Sequence, residues 1–599
     1  SIDYALNNAG AHILVVNYAG DAESLNSQAA TLINIKPVET TVTVNPDNGA
    51  VTDAVVLNTV VTDANGNSVT SGVVNIIVNG NTYSSDIVNG TASATIPVNV
   101  LKAGNNIISV NYNGDVNYEP SGITYYTNGT YYGPVYYVAV NGSSSNNGRT
   151  PQTPWTYTYA FNTIQNSSYN NSLIYILNGN YVINNTVKFN KNLTIKVMSD
   201  SAVLDGNNNA TNCFNIENGA VSIENITFTR FTNTTILNRA NNTIISGNTF
   251  INNKGTNGGA INNYNTNNAT IINNVFTNNT AKYGGAIYNR GNNTEITNNT
   301  FTKNNVTLSS GAIYNLGANT KITNNIFTDN TAKTLGGAIS NWDATGTVIT
   351  DNQFNGNQAN YGGAIYYRGT TLTLDNNTMT GNTALVSGGA VFVIGQNNNI
   401  TNNDFTANKA RSGAAINNLG TDIIIRSNTI AYNTAKTIGG AINNWNAGNT
   451  TIESNSIHDN QAQYGTIYLR GSNITVDSNS IYNNRVAASG AAIFNIGTNN
   501  TISRNIIDSN IAKSYGGAIN NYNAVNTRIT DNNLTGNIAS YGGAIYTRAT
   551  NTTITGNNIT GNTATTGSAI FDIKHKTTIF ENNTVKDNTA HSGNETVNK

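Results

Sequence analysis

Acidic side chains are the residues of this sequence that could most directly break a glycosidic bond. Hydrolysis needs two carboxyl groups about 5–10 Å apart, and elimination needs a base, often beside a Ca²⁺ site made of several carboxylates. Acidic residues occupy similar places near a recurring asparagine at Asp351, Asp375, Asp477, Asp531 and Glu581. Only Asp351 and Asp375 fall in successive repeats, and we interpret this best pair as solvated turn carboxylates rather than as a catalytic pair.

Histidine and cysteine, the other side chains suited to catalysis or metal binding, are few. The four histidines do not have the spacing of metal ligands; they are His12, His458, His575 and His591. Cys213 has no histidine nearby that could activate its thiol, so we predict a buried, apolar role for it. We therefore expect a protein that is not an enzyme, with no catalytic residue, no metal site and no cofactor.

Arginine and aromatic residues recur in a pattern that favours binding. The motif Gly-Gly-Ala-Ile or a variant repeats along the chain, and the residue three positions after the isoleucine is in turn aromatic, arginine and aliphatic. One extra aliphatic repeat interrupts this column, which reads Tyr264, Arg290, Leu316, Trp342, Arg368, Ile394, Leu419, Trp445, Arg470, Ile496, Tyr522, Arg548 and Ile573. Because an unpaired arginine avoids an apolar interior, we predict that the column faces solvent and that each arginine stacks on an aromatic ring.

Aromatic residues also recur one position after the same isoleucine, and there we predict a second exposed column. Its members are Tyr288, Tyr314, Tyr366, Phe392, Tyr468, Phe494, Tyr546 and Phe571. The two columns would form an aromatic surface about 60 Å long at about 4.8 Å per repeat. Aromatic and arginine side chains dominate binding interfaces, so this surface suits a glycan or a protein. The alternative is that stacking only stiffens this face. The candidate ligand-binding residues are Tyr264, Arg290, Trp342, Arg368, Trp445, Arg470, Tyr522 and Arg548.

A repeat of 24–27 residues must position these side chains. Each repeat contains Asn-x-Φ-x-x-Asn, where Φ is a large apolar residue. The first asparagine recurs from Asn248 to Asn583 and the second from Asn253 to Asn588. This length suits one coil of three short strands and three turns, so we predict an all-β, right-handed, three-sided parallel β-helix. Stacked asparagines would form amide ladders, since each can donate to one neighbour and accept from the other.

Composition limits the partners of the chain. The net charge is −1 and only 10% of residues are charged, so no basic surface is available for nucleic acid. No apolar run reaches the roughly 20 residues of a membrane span. Candidate glycosylation sequons are dense, for example at Asn89, Asn128, Asn184, Asn192 and Asn225.

The first 130 residues follow another pattern. Val16–Asp21 (Val-Asn-Tyr-Ala-Gly-Asp) matches Val110–Asp115 at an offset of one immunoglobulin-like sandwich. Residues 153–168 predict a short helix that could cover the first coil. We interpret the chain as part of a longer one, with pairing of its partial first module to another copy as the alternative. The expected parts are a C-terminal piece of an Ig-like module at 1–36, a complete Ig-like module at 37–130, a linker and cap at 131–170, and the β-helix at 171–599.

These motifs resemble those of surface proteins. Phe276–Asn279 with Gly284–Ile287 is similar to the paired motifs of chlamydial polymorphic outer-membrane proteins, and Asp63–Asn67 resembles a turn of bacterial-type Ig-like repeats. The order of Ig-like repeats and Asn/Thr-rich β-helix looks like that of adhesin-like surface proteins of methanogenic archaea. The resemblance implies a secreted, cell-surface protein with a modular stalk. We expect it to bind glycans or a surface protein of another cell. A filament or sheath subunit that associates through its chain ends, and a polysaccharide lyase or hydrolase, are the alternatives.

Overall fold

Apart from one helix, the regular elements in the described part of the chain are strands, so the predicted all-β class is confirmed. The chain divides into two units, Ser1–Ile176 with Lys191–Ile195, and Leu177–Asn190 with Lys196–Lys599. The computed structural model describes residues 6, 8–45, 49–50, 54–97, 100–101, 106–127, 131–199, 201–208, 212–573 and 577–598.

Seven antiparallel strands of the first unit form two facing sheets. One has the order Thr40–Asn45, Val55–Asp63, Thr91–Ile96. The other has the order Ser121–Thr127, Asn106–Tyr112, Val73–Val78, Asn81–Asp86. Alternate residues point into one apolar core, in which Leu57, Ile76 and Val110 are fully buried. These antiparallel sheets are consistent with an Ig-like module, since a sandwich buries every second residue of each strand.

An N-terminal hairpin resembles the last two strands of that sandwich. Gly10–Tyr18 pairs antiparallel with Ser27–Ile35, and Tyr18 faces Ser27, just as Tyr112 faces Ser121 in the sandwich. The hairpin differs in burial, because Val16 is 59% exposed whereas its equivalent Val110 is 0% exposed.

The predicted short helix is present at Tyr157–Asn166, where it buries Ala160, Phe161 and Ile164. In the same unit, Val135–Val138 pairs in parallel with Ser172–Ile176. Lys191 Nζ donates to the backbone oxygens of Ile164 and Ser167, at 3.1 and 2.6 Å. A cation is favoured there, because the C-terminal end of a helix carries partial negative charge.

The second unit is a parallel β-helix, and most of its coils contain four short strands. A representative coil has Ile287–Asn289, Glu295–Thr297, Thr300–Thr302 and Asn305–Ser309. The first two lie in the largest sheet, the third in a sheet of 17 described strands and the fourth in one of 13. The predicted three-sided parallel β-helix is confirmed. Such a coil has one strand more than expected, because the largest sheet bends between the first strand and the second. In three coils these two strands are joined into one long strand, at Val391–Thr401, Ile519–Thr530 and Ile545–Thr555.

The two predicted asparagine ladders run without a break from Asn248 to Asn583 and from Asn253 to Asn588. Each Nδ2 donates to the Oδ1 of the next coil's asparagine at 2.9–3.1 Å. That oxygen also accepts the backbone N–H of the preceding asparagine, as Asn274 Oδ1 does from Asn248 at 2.9 Å. The buried amides are therefore satisfied, which removes the cost of placing them inside the protein.

A third ladder was missed in the sequence. Asn263, Asn289, Asn315 and Asn341 are joined by Nδ2–Oδ1 hydrogen bonds of 2.8, 2.8 and 2.6 Å. The recurrence of Ile-x-Asn was the available signal, but other residues interrupt it at Tyr367, Val393, Leu469 and Thr547.

The turns and the interior explain the remaining regularities of the repeat. A residue in the left-handed region precedes each asparagine of the two predicted ladders, for example Asn273 (φ 57°) or Gly381 (φ 66°). Asparagine and glycine adopt this conformation at the least cost, which accounts for their abundance. Inside the coils, rings at Φ stack with centroids 4.7–5.0 Å apart; they belong to Phe250, Phe276, Phe301, Phe327 and Phe354.

Candidate functional site

The strand that follows the glycine pair positions the arginine column. Ile365 is fully buried, and the residue three positions later points to the opposite face because strand side chains alternate. Parallel register then sets Trp342 beside Arg368, and the same pairing recurs in two further places, at Trp445 with Arg470 and Tyr522 with Arg548. All four arginines are exposed, so this column faces outward as predicted.

Each predicted arginine–aromatic pair is stacked. The guanidinium carbon lies 4.9, 4.6, 4.0 and 5.5 Å from the ring centre in the pairs Arg290–Tyr264, Arg368–Trp342, Arg470–Trp445 and Arg548–Tyr522. Arg368 Nε also pairs with Asp343 Oδ1 at 2.9 Å. Stacking of this kind contributes about 0.5–1 kcal/mol at an exposed site.

The second aromatic column is not exposed, so that prediction was wrong. Tyr288 is half-buried and the other seven members are buried, with Tyr366 and Phe392 each 6% exposed. The rings point away from the interior of the coil, but they stack on one another in pairs at 5.3–5.8 Å. Burial raises the pKa of Tyr314 to about 12.

A third set of tyrosines covers these rings and was missed in the sequence. Each is the last residue of the strand before the glycines. Their ring centroids lie 5.3–5.8 Å from those of the column, in the pairs Tyr283–Tyr314, Tyr361–Phe392, Tyr464–Phe494 and Tyr541–Phe571. The recurring string Tyr-Gly-Gly-Ala-Ile-Tyr-x-Arg, shortened once to Tyr464–Arg470, could have revealed them.

The surface therefore has compact aromatic clusters, each with an arginine at its exposed edge. In one, Trp342 stacks on Tyr366 at 6.1 Å and Tyr366 on Phe392 at 5.5 Å. In another, Trp445 stacks on Tyr468 at 6.3 Å. The half-exposed indoles and the arginines above them are the parts of each cluster that a ligand can reach. We call the four exposed arginine–aromatic pairs the stripe.

Three of the five acidic residues considered for catalysis, Asp351, Asp375 and Asp477, accept hydrogen bonds from neighbouring side chains. Asp351 Oδ1 accepts from Asn376 Nδ2 at 2.6 Å, and Asp375 Oδ1 accepts from Asn402 Nδ2 at 2.8 Å. Asp477 accepts from Ser503 and Arg504, both at 2.6 Å. Burial alone would raise the pKa of Asp477, but hydrogen bonds, first from Ser503 and then from Arg504, outweigh it and lower that pKa.

The remaining candidate side chains are dispersed. His458 lies between Tyr432 and Tyr482, with Nδ1 2.8 Å from Asp459 Oδ2, and Cys213 is buried as predicted. His575 lies outside the described residues. Where the structure describes side chains, no three His, Cys, Asp or Glu residues are grouped as metal ligands. No described helix is long and apolar enough to cross a membrane.

The predicted sequons differ in accessibility. Asn89, Asn184 and Asn225 are exposed, whereas Asn192 is half-buried. Asn128 lies outside the described residues.

Comparison with known proteins gives one family. The family described as "Right handed beta helix region" matches residues 212–384 and, overlapping them, 362–534. No curated protein matches the chain.

Several solved structures are similar to the chain at low identity. A PL6 alginate lyase complex with trisaccharide is 15% identical, covers 67% of this chain and 85% of its own, and has a TM-score of 0.36. The GH87 α-1,3-glucanase catalytic domain is 14% identical, with 86% and 91% covered and a TM-score of 0.30. The Dettilon tailspike protein is 13% identical, with 69% and 63% covered and a TM-score of 0.26. Similarity at this level carries no argument about function.

Proposed function

Because the chain belongs to the right-handed beta helix family, whose fold repeats one surface from coil to coil, we propose that it binds glycans through the stripe as a non-enzymatic, extracellular surface protein. The Ig-like module would act as a stalk, as in the adhesin-like surface proteins of methanogenic archaea that the sequence resembles. Binding would attach the protein to the surface of another cell.

The observation that carries this proposal is the recurrence of an exposed arginine stacked on an outward aromatic ring in four coils. The flat face of an indole or phenol suits the apolar face of a sugar ring, and a guanidinium presents several donors to hydroxyl or acidic groups. The asparagine ladders hold these side chains in a fixed order, so the cost of ordering them on binding is small.

The engagement of the acidic residues supports a binding role over a catalytic one. Asp351 and Asp375 both accept hydrogen bonds from asparagines, and Asp477 forms an ion pair with Arg504. The expected result is that the full chain releases no reducing or unsaturated ends from a broad panel of polysaccharides. Release of either would favour a lyase or hydrolase instead.

Attachment to cells tests the stripe directly. The double variant Trp342→Ala/Arg368→Ala removes one stacked pair without touching a ladder, and Leu316→Ala at an aliphatic position of the same column is its control. We expect attachment of the double variant to fall by about tenfold, equivalent to about 1.4 kcal/mol, with thermal unfolding nearly unchanged. Attachment equal to that of the control would exclude this pair from binding.

Self-association is a second candidate, favoured by the N-terminal hairpin. Leu14 and Val16 are 42% and 59% exposed, whereas the equivalent Ile108 and Val110 of the complete sandwich are 0% exposed. A second copy could cover these apolar residues. Electron microscopy at high protein concentration would then show filaments or pairs. A uniform population of single copies would contradict assembly.

A further inference from the structure

A cavity of about 640 Å³ opens on the outer surface of the β-helix where the extra aliphatic coil interrupts the three-coil pattern. In the buried aromatic column, Phe392 is followed by Asn417 and Asn443 before the aromatic residues resume at Tyr468. At other places only one smaller residue separates the rings, as Asn520 does between Phe494 and Tyr546.

The size of the gap follows from the strand spacing. One smaller residue leaves two ring-bearing coils about 10 Å apart, and the rings and their covering tyrosines close that distance. Two successive asparagines place Phe392 and Tyr468 three coils, or about 14 Å, apart. The side chains of Asn417 and Asn443 are too short to fill this space, so a cavity remains with aromatic rings at both ends.

The floor of the cavity is formed by two linked amides. Asn443 Nδ2 donates to Asn417 Oδ1 at 2.6 Å, and both residues are buried. The Oδ1 of Asn443 is buried and accepts no hydrogen bond from any described residue, and Asn520 in the same column shares this feature away from the cavity. The floor therefore provides little polar contact, and the walls and the rim determine what the cavity can bind.

The walls and rim indicate the chemistry of the ligand. Trp445, a half-exposed member of the stripe, forms one wall together with Tyr468. Arg411 lies at the rim, where its exposed guanidinium has no ion pair or hydrogen bond within the described residues. No acidic residue lines the cavity. The lining thus offers flat apolar rings and one uncompensated positive charge.

We propose that this cavity is a binding site for a sugar residue that carries an acidic substituent. The apolar face of the sugar ring packs on Trp445, and the acidic group pairs with the Arg411 guanidinium. This inference rests on the proposed glycan binding and adds a position and a charge preference to it. The stripe then supplies repeated weak contacts, and the cavity supplies the selective one.

Filling the cavity tests the inference. Asn417→Tyr introduces the residue type that the same column has at Tyr366 and Tyr468, so the coil can accommodate it. Asn262→Tyr is the matched control, because it makes the same change in the same column, at a half-buried position that does not line the cavity. With the full chain and a panel of acidic oligosaccharides and their neutral counterparts, we expect Asn417→Tyr to lose at least tenfold in affinity for the acidic ligand and Asn262→Tyr to bind as wild type.

The charge preference has its own variant. Arg411→Gln is expected to lower affinity for the acidic oligosaccharide to that for its neutral counterpart. Equal affinities of the wild-type protein for the two would overturn the preference. If Asn417→Tyr binds the acidic ligand with wild-type affinity, the cavity is not the site. If Trp342→Ala/Arg368→Ala nevertheless weakens binding, the proposed glycan binding through the stripe stands without the cavity. Absence of binding to any glycan by the wild type would defeat both.

Tryptophan fluorescence of the wild-type protein gives a second measurement that needs no folded variant at position 417. Saturable quenching by the acidic oligosaccharide, lost in Trp445→Phe but kept in Trp342→Phe, is the expected result. Quenching that survives Trp445→Phe unchanged, or no quenching, would contradict contact with the cavity wall.

Discussion

Backbone conformation at single turn residues sets part of the stability of the coils. Gly381 and Ala407 occupy the same turn in neighbouring coils, with φ of 66° and 57°. A Cβ at Gly381 would meet nothing within 4 Å, so only the backbone conformation opposes a larger residue there. A left-handed backbone conformation destabilises the folded state by about 1–2 kcal/mol when the residue has a Cβ. Glycine avoids this penalty, but it loses more backbone entropy on folding, so its net advantage is smaller.

The two positions make a reciprocal prediction. Gly381→Ala should lower the free energy of unfolding of the solenoid by about 1 kcal/mol, and Ala407→Gly should raise it by up to about 1 kcal/mol. Midpoints of denaturant unfolding at equal slope measure both. Changes of the same sign in the two variants would contradict the assignment of these turns.

Buried tyrosines predict a loss of stability in alkali. Burial raises the pKa of Tyr314 and of Tyr112 to about 12, whereas an unfolded tyrosine ionises near pH 10. Above about pH 10 the unfolded chain therefore releases protons that the folded chain keeps, and the free energy of unfolding falls as the pH rises toward 12. Denaturant midpoints from about pH 8 to pH 11 should be level at first and then decline. A constant midpoint would mean that these rings ionise freely in the folded protein.

At the scale of the element, the ladders make each coil depend on its neighbours. Asn377 Oδ1 accepts both the backbone N–H and the Nδ2 of Asn352, and its own Nδ2 donates to Asn403 at 3.0 Å. Asn377→Ala leaves the Asn352 N–H buried without an acceptor, at a cost of about 1–3 kcal/mol.

Hydrogen exchange locates that cost. We expect Asn377→Ala to speed exchange of backbone amides in the coils around residues 352–403 and to leave distant coils unchanged, because each repeat contacts only its neighbours. Thr378→Ala is the control, because Thr378 follows Asn377 directly and is exposed. Its backbone amides should exchange as those of the wild type do. Equal exchange in the two variants would show that the ladder amide contributes little.

Features that repeat at fixed sequence positions could be predicted from the sequence, whereas features that depend on packing between different parts of a coil could not. The Asn248–Asn583 and Asn253–Asn588 ladders, the phenylalanine stack and the arginine column all recur at fixed positions, so one parallel register follows from them. Whether an outward ring is exposed depends on neighbours from another part of the coil. Tyr361 and its equivalents cover the second aromatic column, and spacing within one strand carries no information about that cover. The cavity was missed for the same reason, since it arises from two small residues on adjacent coils.

In the molecule as a whole, the second unit is the solenoid, and one column of side chains points outward along it. The asparagine ladders inside the coils hold that column in register. Four coils of that column present arginine on an aromatic ring, and an extra coil opens a cavity among them. We propose that the arginines of the stripe contact glycans.

This contact is tested by glycan-array binding of the full chain and of the fourfold variant Arg290→Gln/Arg368→Gln/Arg470→Gln/Arg548→Gln. Glutamine keeps much of the length of the side chain but removes the charge and the guanidinium plane. We expect the wild type to bind a definable class of glycans and the variant, still folded, to lose most of this binding. Undiminished binding by the variant, or binding to no glycan by the wild type, would show that these arginines do not contact glycans.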